Sequence, residues 1–402
     1  MVTYSIVGVL RMSEFMVPKK IYHGAGSLNN LETILKETRS KNVFLLTDPV
    51  LKELDVIEEL VNIIEANNVK VHINTDVVPE PSLQTGNQLV EKVRHIQPDL
   101  VIGVGGGSAL DLAKVVAVLV DNEGTIEDYL NLSGTAAISN KGVPKVLIPT
   151  TSGTGAEVTD IAVFSLEETK DVVNHEYLLA DYAIIDSNLT LTLPSKITAA
   201  SGIDAFTHAL ESYTSIYSSP LTKILALESM KKIEKNIRVA VWKGNDKYAR
   251  EQMSLASLFA GISFYNAGVA AVHGLAYPLG GLFNIPHGES NAVLLPYVYD
   301  YIWPSCIKEM GEVAEVLGLP VDGKNHREIA QEVVLNLFYL VEDVGLSTTL
   351  KDYGVSESDI RKLTENGIKQ TRLLKRSPKQ LNEDAVRKIY TNAYYGELSV
   401  KV

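Results

Sequence analysis

The stretch Asp99-Leu-Val-Ile-Gly-Val-Gly-Gly-Gly-Ser-Ala-Leu-Asp111 decides the fold. Residues 99–104 form an apolar run of the kind that makes a strand buried on both faces. The run ends in glycines, and residues 110–120 then read as a helix. Glycines at a strand-to-helix turn let the backbone approach a pyrophosphate, and the helix start offers free N–H groups and a favourable dipole. The motif is not a full G-x-G-x-x-G, because Ser108 stands at the third position. A tight turn with no ligand is the competing reading.

The pattern extends to both sides. Upstream, Ser27 can cap a helix that places Leu28, Leu31, Ile34 and Leu35 on one face. Residues 42–47 and 69–73 read as strands. Ile57, Leu60, Val61 and Ile64 mark one intervening helix, and Leu89, Val93 and Ile96 another. Downstream, residues 145–149 form a further strand, 161–164 and 172–173 suit a hairpin, and 182–185 end the series at Asp186. Alternating strands and helices imply a parallel sheet with crossover helices. After Pro194 helical periodicity takes over, in 225–233, 253–264, 329–341 and 386–395. The expected architecture is a Rossmann-like α/β domain over residues 1–194 and an all-helical domain over 195–402.

Composition narrows the function. The chain has 402 residues, which favours two domains, and 46% apolar with 21% charged residues suits a globular protein. A net charge of −12, with no run of Lys or Arg, argues against nucleic-acid binding. No apolar stretch has the length of a membrane span, so no membrane partner is expected. Residues 1–12 lack a positive n-region and a cleavage site; they read as a short strand or extension, with Met12 an alternative start. Cys306 is the single cysteine, so an internal disulfide and a Cys-rich zinc site are excluded. A cytoplasmic protein is expected.

Two further stretches bear on a dinucleotide. Thr150-Thr-Ser-Gly-Thr-Gly-Ala-Glu-Val-Thr159 follows a strand, where open sheets bind ligands, and its hydroxyls and glycines suit ribose and phosphate. An ordinary polar loop is the alternative. Asp48 ends the strand at 42–47, where a carboxylate can bind the adenosine ribose and repel a 2′-phosphate, favouring NAD. It precedes the glycine turn instead of following it, and Asp-Pro also starts turns.

In the helical half, Gly202-Ile-Asp-Ala-Phe-Thr-His-Ala-Leu-Glu-Ser212 puts Asp204 and His208 on one helix face. His273 and His287 bracket a Gly/Pro-rich turn. The other histidines, 23, 72, 95, 175 and 326, read as surface or locally bonded side chains. Each lone histidine is most simply a core or loop residue, but the set of four suits one divalent ion. Three imidazoles and a carboxylate fit Fe²⁺ or Zn²⁺ better than Ca²⁺ or Mg²⁺. With an open position such an ion acts as a Lewis acid on a substrate oxygen, while a nicotinamide exchanges hydride.

With these residues in place, the chain resembles the iron-containing (group III) alcohol dehydrogenase family, whose fold is dehydroquinate synthase-like. The resemblance is carried by Gly105-Gly-Gly-Ser-x-x-Asp111-x-Ala-Lys114, Pro149-Thr-Thr-Ser-Gly-Thr-Gly-Ala-Glu-Val-Thr159, Gly202-x-Asp-Ala-x-x-His208-Ala-x-Glu211, and His273 with Pro286-His-Gly288. It implies an iron ion (zinc being possible) held by Asp204, His208, His273 and His287. It implies NAD contacts at Asp48, Gly105, Gly106, Gly107, Ser108, Asp111, Thr150, Thr151, Thr154, Thr159 and Lys170. It also implies a small alcohol, diol or aldehyde substrate and a homodimer or larger assembly. Tyr277 stands where many members carry a second histidine proposed to relay a proton, so Tyr277 is either a catalytic stand-in or a pocket wall. Phe264 and Tyr265 are expected beside it in the pocket. A dehydroquinate synthase-like lyase would need Arg and Lys around the pocket, and the stretches near the four ligands carry almost none. A metal- or NAD-responsive binding module is the non-enzymatic alternative.

Overall fold

The structure is a computed structural model that describes residues 14–53, 55–79, 81–166 and 170–400. The expectations for residues 1–12 lie outside these. The strands are β1 (Lys20–His23), β2 (Asn42–Thr47), β3 (Lys70–Asn74), β4 (Leu100–Gly105), β5 (Lys145–Pro149), β6 (Ile161–Ser165), β7 (Lys170–Asn174) and β8 (Tyr182–Ile185). Helices α1 (Leu31–Thr38), α2 (Pro49–Lys52), α3 (Asp55–Ala66), α4 (Leu83–Ile96) and α5 (Gly107–Leu119) intervene. The helical half comprises α6 (Ser195–Thr214), α7 (Pro220–Trp242), α8 (Lys247–Ala267), α9 (Ala271–Phe283) and α10 (His287–Ile302). It continues through α11 (Ile307–Leu317), α12 (His326–Asp343), α13 (Ile360–Gly367), α14 (Thr371–Leu374) and α15 (Glu383–Tyr395).

Six strands form one parallel sheet in the order β1-β8-β5-β4-β2-β3. The middle strands β2, β4 and β5 are buried almost throughout, as their unbroken apolar runs require. One face packs on α4 and α5 and the other on α1 and α3, each with its own core. From β2 the chain steps outward to β3, then crosses to β4 and moves the opposite way to β5 and β8. The order therefore reverses between β2 and β4, and ligands bind open sheets at the strand ends of such a reversal. There Thr47 pairs with Val104, so Asp48 emerges beside Gly105. Adjacency in the sheet thus brings Asp48 to the glycine turn, although it precedes that turn in the chain. β6 and β7 form the expected antiparallel hairpin.

The helices from α6 onward share a third, larger core. Val158, Ala183 and Ile185 pack on Leu258 and Ile262, which closes the joint between the halves. Among the described residues no single helix is long and apolar enough to cross a membrane.

Two local expectations change. Ser27 does not cap a helix: it lies in a 3₁₀ turn, Ser27–Asn30, that leads into α1. The carboxylate of Asp186, at the far end of β8, accepts from the Gly26 and Leu28 amides instead. The stretch after His273 is not a turn either. α9 runs through Pro278 to Phe283, and only residues 284–286 turn before His287 opens α10. Most of α9 is buried, and burial overrides the low helix propensity of its Gly and Pro residues.

Candidate active site

The metal-type cluster is assembled by three helices. Asp204 and His208 sit one turn apart on α6, His273 lies in the first turn of α9, and His287 is the first residue of α10. One ligand atom from each comes within 4.8 Å of all the others. The Nε2 atoms of His208, His273 and His287 stand 3.9, 3.5 and 3.6 Å from Asp204 Oδ1. His273 Nε2 is buried with no hydrogen-bond partner. Such an orphan is costly unless something at the centre of the cluster takes its lone pair. The donor set and this orphan fit a divalent ion of the iron or zinc type.

The surrounding groups aim the rings. Glu211, one further turn along α6, accepts from the His273 Nδ1–H at 2.7 Å. The same carboxylate accepts from the Ala270 and Val272 amides at 3.0 and 2.6 Å, so it also caps α9. A carboxylate behind a ligating histidine fixes its tautomer and orientation. His208 Nδ1–H donates to the Gly153 carbonyl at 3.3 Å, which leaves its Nε2 facing Asp204. Its ring stacks on Phe264 at 4.2 Å between centroids. Asn291, one turn after His287, donates to Asp204 Oδ1 at 2.7 Å and contacts His287 Nε2 at 3.2 Å.

Electrostatics agree with this layout at two of the three imidazoles. Burial pushes His208 down to about 4 and His287 down to about 3, so both are neutral near pH 7 with free lone pairs. Burial also opposes a charge on His273, but the Asp204 and Glu211 carboxylates raise it to about 9, so near pH 7 it holds a proton that a bound metal would displace. Burial opposes the charge of Asp204 as well, yet the three imidazoles hold its carboxyl well below the usual range.

The dinucleotide-type residues gather at the β2–β4 reversal. Gly105 has φ +146°, and a Cβ there would lie 2.8 Å from Ala109 Cβ and 3.5 Å from Asp48 Oδ2. A side chain would therefore fill the cradle between the Asp48 carboxylate and the start of α5. Asp48 also caps α2 through the Leu51 amide. The Thr150 amide bonds the Gly105 carbonyl at 3.0 Å, and Thr151 and Thr154 lie over Gly106 and Gly107. This compact glycine and hydroxyl turn at a helix start fits a pyrophosphate.

A cavity of about 350 Å³ joins the two groups. Gly107, Ser108, Asp111, Thr154, Thr159 and Lys170 line it on the α/β side, while Asp48, Gly105, Gly106, Thr150 and Thr151 lie outside its lining. The four cluster residues, Phe264, Tyr265 and Tyr277 line the helical side. Lys170 approaches Gly280, and its charge helps keep His287 low. Asp111 and Thr159 are engaged within the protein. The buried Lys114 ammonium pairs with Asp111 Oδ1 at 2.7 Å and donates to Thr159 Oγ1, Ala156 O and Ile161 O. These bonds tie the cofactor-side loop to α5. The Tyr277 ring lies 6.3 Å from that of His287, and burial raises its hydroxyl above the ordinary value.

Sequence reasoning missed several of these groups. Glu211 and Asn291 carried a readable signal, helical spacing from Asp204, His208 and His287. Lys114 appeared only as a motif letter. Arg372 and Arg376 also line the cavity, together with Lys170. They come from a segment about a hundred residues after His273, so the sparse basic residues near the ligands misjudged the charge of the cleft.

Comparison with known proteins bears on the whole chain. Residues 18–187 match the family model for iron-containing alcohol dehydrogenases, and residues 198–394 match the C-terminal model of the Fe-containing alcohol dehydrogenase family. Long-chain-alcohol dehydrogenase 1 of Geobacillus thermodenitrificans is 48% identical over 389 residues, 97% of this chain and 98% of that protein. A crystal structure of 1,3-propanediol oxidoreductase superposes with a TM-score of 0.92 at 31% identity, covering 96% of this chain and 100% of that one. A sulfoacetaldehyde reductase from Bifidobacterium kashiwanohense, solved in complex with NAD⁺, superposes with a TM-score of 0.85 at 25% identity, covering 96% of this chain and 100% of that one.

Proposed function

The chain belongs to the iron-containing alcohol dehydrogenase family, and on that premise we propose how its own residues serve the reaction. It is an NAD-linked, metal-dependent oxidoreductase of alcohols and their aldehydes. Asp204, His208, His273 and His287 are the metal ligands in this reading. Its main support is the convergence of their four ligand atoms around a buried nitrogen that has no partner. When bound, the metal supplies Lewis acidity at the substrate oxygen, and the nicotinamide exchanges hydride with the substrate carbon.

The protein's contribution is placement. Glu211, the Gly153 carbonyl and Asn291 hold the ligand side chains in one orientation before substrate arrives. Gly105, Gly106, Gly107 and Ser108 receive the pyrophosphate, with Thr150, Thr151 and Thr154 around it. Thr159 and Lys170 border the nicotinamide end, and Asp111 acts by anchoring Lys114 beneath that loop. Asp48 takes the adenosine ribose, which supports NAD over NADP. Phe264 and Tyr277 wall the substrate space and keep water from the reacting carbon. Tyr277 is not the proton relay in this reading, because burial moves its hydroxyl further from neutrality.

The two halves act as an α/β domain to residue 194 and a helical domain from 195. A cytoplasmic homodimer or larger assembly completes the reading. The exposed apolar side chains Ile216, Tyr217, Leu221 and Ile224 around the start of α7 support contact between copies. The test is a panel of alcohols, diols and aldehydes with NAD and NADP, after loading with Fe²⁺ or Zn²⁺. NAD-linked turnover of small primary alcohols is expected, and no absorbance change at the NADH band with any substrate overturns the reading.

A further inference from the structure

The helical wall of the cleft carries two cations that hydride transfer does not use. Arg372, on α14, and Arg376, one turn later, line the cavity beside Tyr277 and His287. Both are half-buried. Arg376 lies flat against Gly268, where an added Cβ would come within 2.6 Å of its Cδ, Nε and Cζ. Its guanidinium is thus held along the main chain that leads into α9. Among the described residues neither guanidinium has a carboxylate within ion-pair distance. The carboxylates that share the cavity are engaged: Asp111 with Lys114, Asp160 with Asn174, and Asp204 with Asn291 and the imidazoles. Burial, and then the Arg372 charge, push Arg376 below its ordinary value, against smaller opposing pulls from Tyr217, Tyr277 and Glu211, the last already held by His273 and the amides that open α9. Two like charges in a partly dry cleft are unfavourable until an anion joins them, and guanidinium groups bind carboxylates in two-pronged pairs.

We propose that Arg372 and Arg376 form an anion subsite, and that the substrate is an alcohol–aldehyde pair bearing a carboxylate or similar anion at the end remote from the reacting carbon. This deepens the dehydrogenase reading and rests on it. The reaction is unchanged. In the reducing direction the carbonyl carbon gains a hydride from NADH, its oxygen gains a proton, and the products are the hydroxy acid and NAD⁺. The cavity is small for a ligand site, so a short chain fits beside the nicotinamide.

The experiment compares NADH oxidation by the metal-loaded enzyme on 4-oxobutanoate and 6-oxohexanoate with that on uncharged pentanal and heptanal. One oxo acid is expected to exceed its neutral match in kcat/KM by about tenfold or more. Arg372→Gln and Arg376→Gln should each cut that ratio by about tenfold, mostly through KM for the oxo acid. Arg376→Lys, which keeps the charge, should recover part of the preference. Wild-type enzyme that favours the neutral aldehydes overturns the proposal. So do Gln variants that lower both substrates in parallel or raise KM for NADH, since the arginines then serve the cofactor phosphates or the scaffold. Calorimetric titration with glutarate gives a second readout: binding weakened in either Gln variant supports the subsite, and equal binding overturns it. If no aldehyde is reduced, the dehydrogenase reading fails, while glutarate still decides the subsite.

Discussion

At the scale of single residues, buried carboxylates do most of the organising. Glu211 touches neither substrate nor cofactor in the proposed reading, yet it caps α9 and orients His273. Glu211→Gln should lower metal affinity by about 10- to 100-fold, the usual cost of losing a carboxylate behind a ligating histidine. Elemental analysis across a chelator series reads this directly, and full metal content at every chelator strength would remove Glu211 from the ligand support. Glu157 behaves differently. It is buried with one oxygen unpartnered, and burial raises its carboxyl from 4.5 to about 7. The folded protein therefore keeps a proton that the unfolded chain has already released. That stability is complete below pH 4.5 and is lost as pH rises through 7, a swing of about 3 kcal/mol. Glu157→Gln should match wild type near pH 4 and unfold at a higher denaturant concentration at pH 8. For Tyr277 the expectation is modest. If it is a wall, Tyr277→Phe keeps kcat within about fivefold, whereas loss by two orders of magnitude would restore the relay role.

At the scale of elements, the unit that matters is β4, its glycine turn and α5. The helix begins at Gly107 with no capping side chain, so no side chain from Gly106 stands between its start and a ligand. Gly105→Ala meets two obstacles, a φ of +146° and the 2.8 Å approach to Ala109. Backbone strain of this kind costs about 1–3 kcal/mol. The expected result is a lower melting temperature together with loss of NADH binding, followed by fluorescence titration. Lys114 joins this element to the loop at 156–161. Removing it would leave Asp111 as an unpaired buried charge, so its role is to hold the loop. α9 makes the complementary point. Its Gly/Pro-rich sequence suggests a turn, but its buried surface and the Glu211 cap hold it helical through Pro278.

At the scale of the whole molecule, catalysis depends on bringing two walls to one distance. Gly155, at φ +60°, and Gly261 meet with 2.6 Å between the Gly261 Cα and a Cβ built on Gly155. That contact sets how closely the α/β loop approaches α8. Gly261→Val should spread the cleft while leaving both the glycine turn and the metal cluster in place. Metal content and NADH affinity should then change little, while kcat/KM falls by about two orders of magnitude, as small misplacements of reacting groups do. Unchanged turnover would show that the halves can shift without consequence.

The sequence by itself determined the repeating strand–helix pattern, the switch to helices after Pro194 and the shared helix face of Asp204 and His208; the meeting of that face with His273 and His287 is tertiary. The features read from the sequence are local. They follow from the period of apolar residues and from the i, i+4 spacing of Asp204 and His208. Tertiary structure decided what distant segments do to one another. Sheet order put Asp48 beside Gly105, although Asp48 comes first in the chain. Packing turned a Gly/Pro-rich stretch into α9. The fold also carried Arg372 and Arg376 into the cavity that Gly107 and Ser108 line, where, with no carboxylate at ion-pair distance among the described residues, their charge supports the proposed anion subsite. Apolar periodicity reports which face of an element is buried, whereas the electrostatics of a cleft depend on which elements come to face each other.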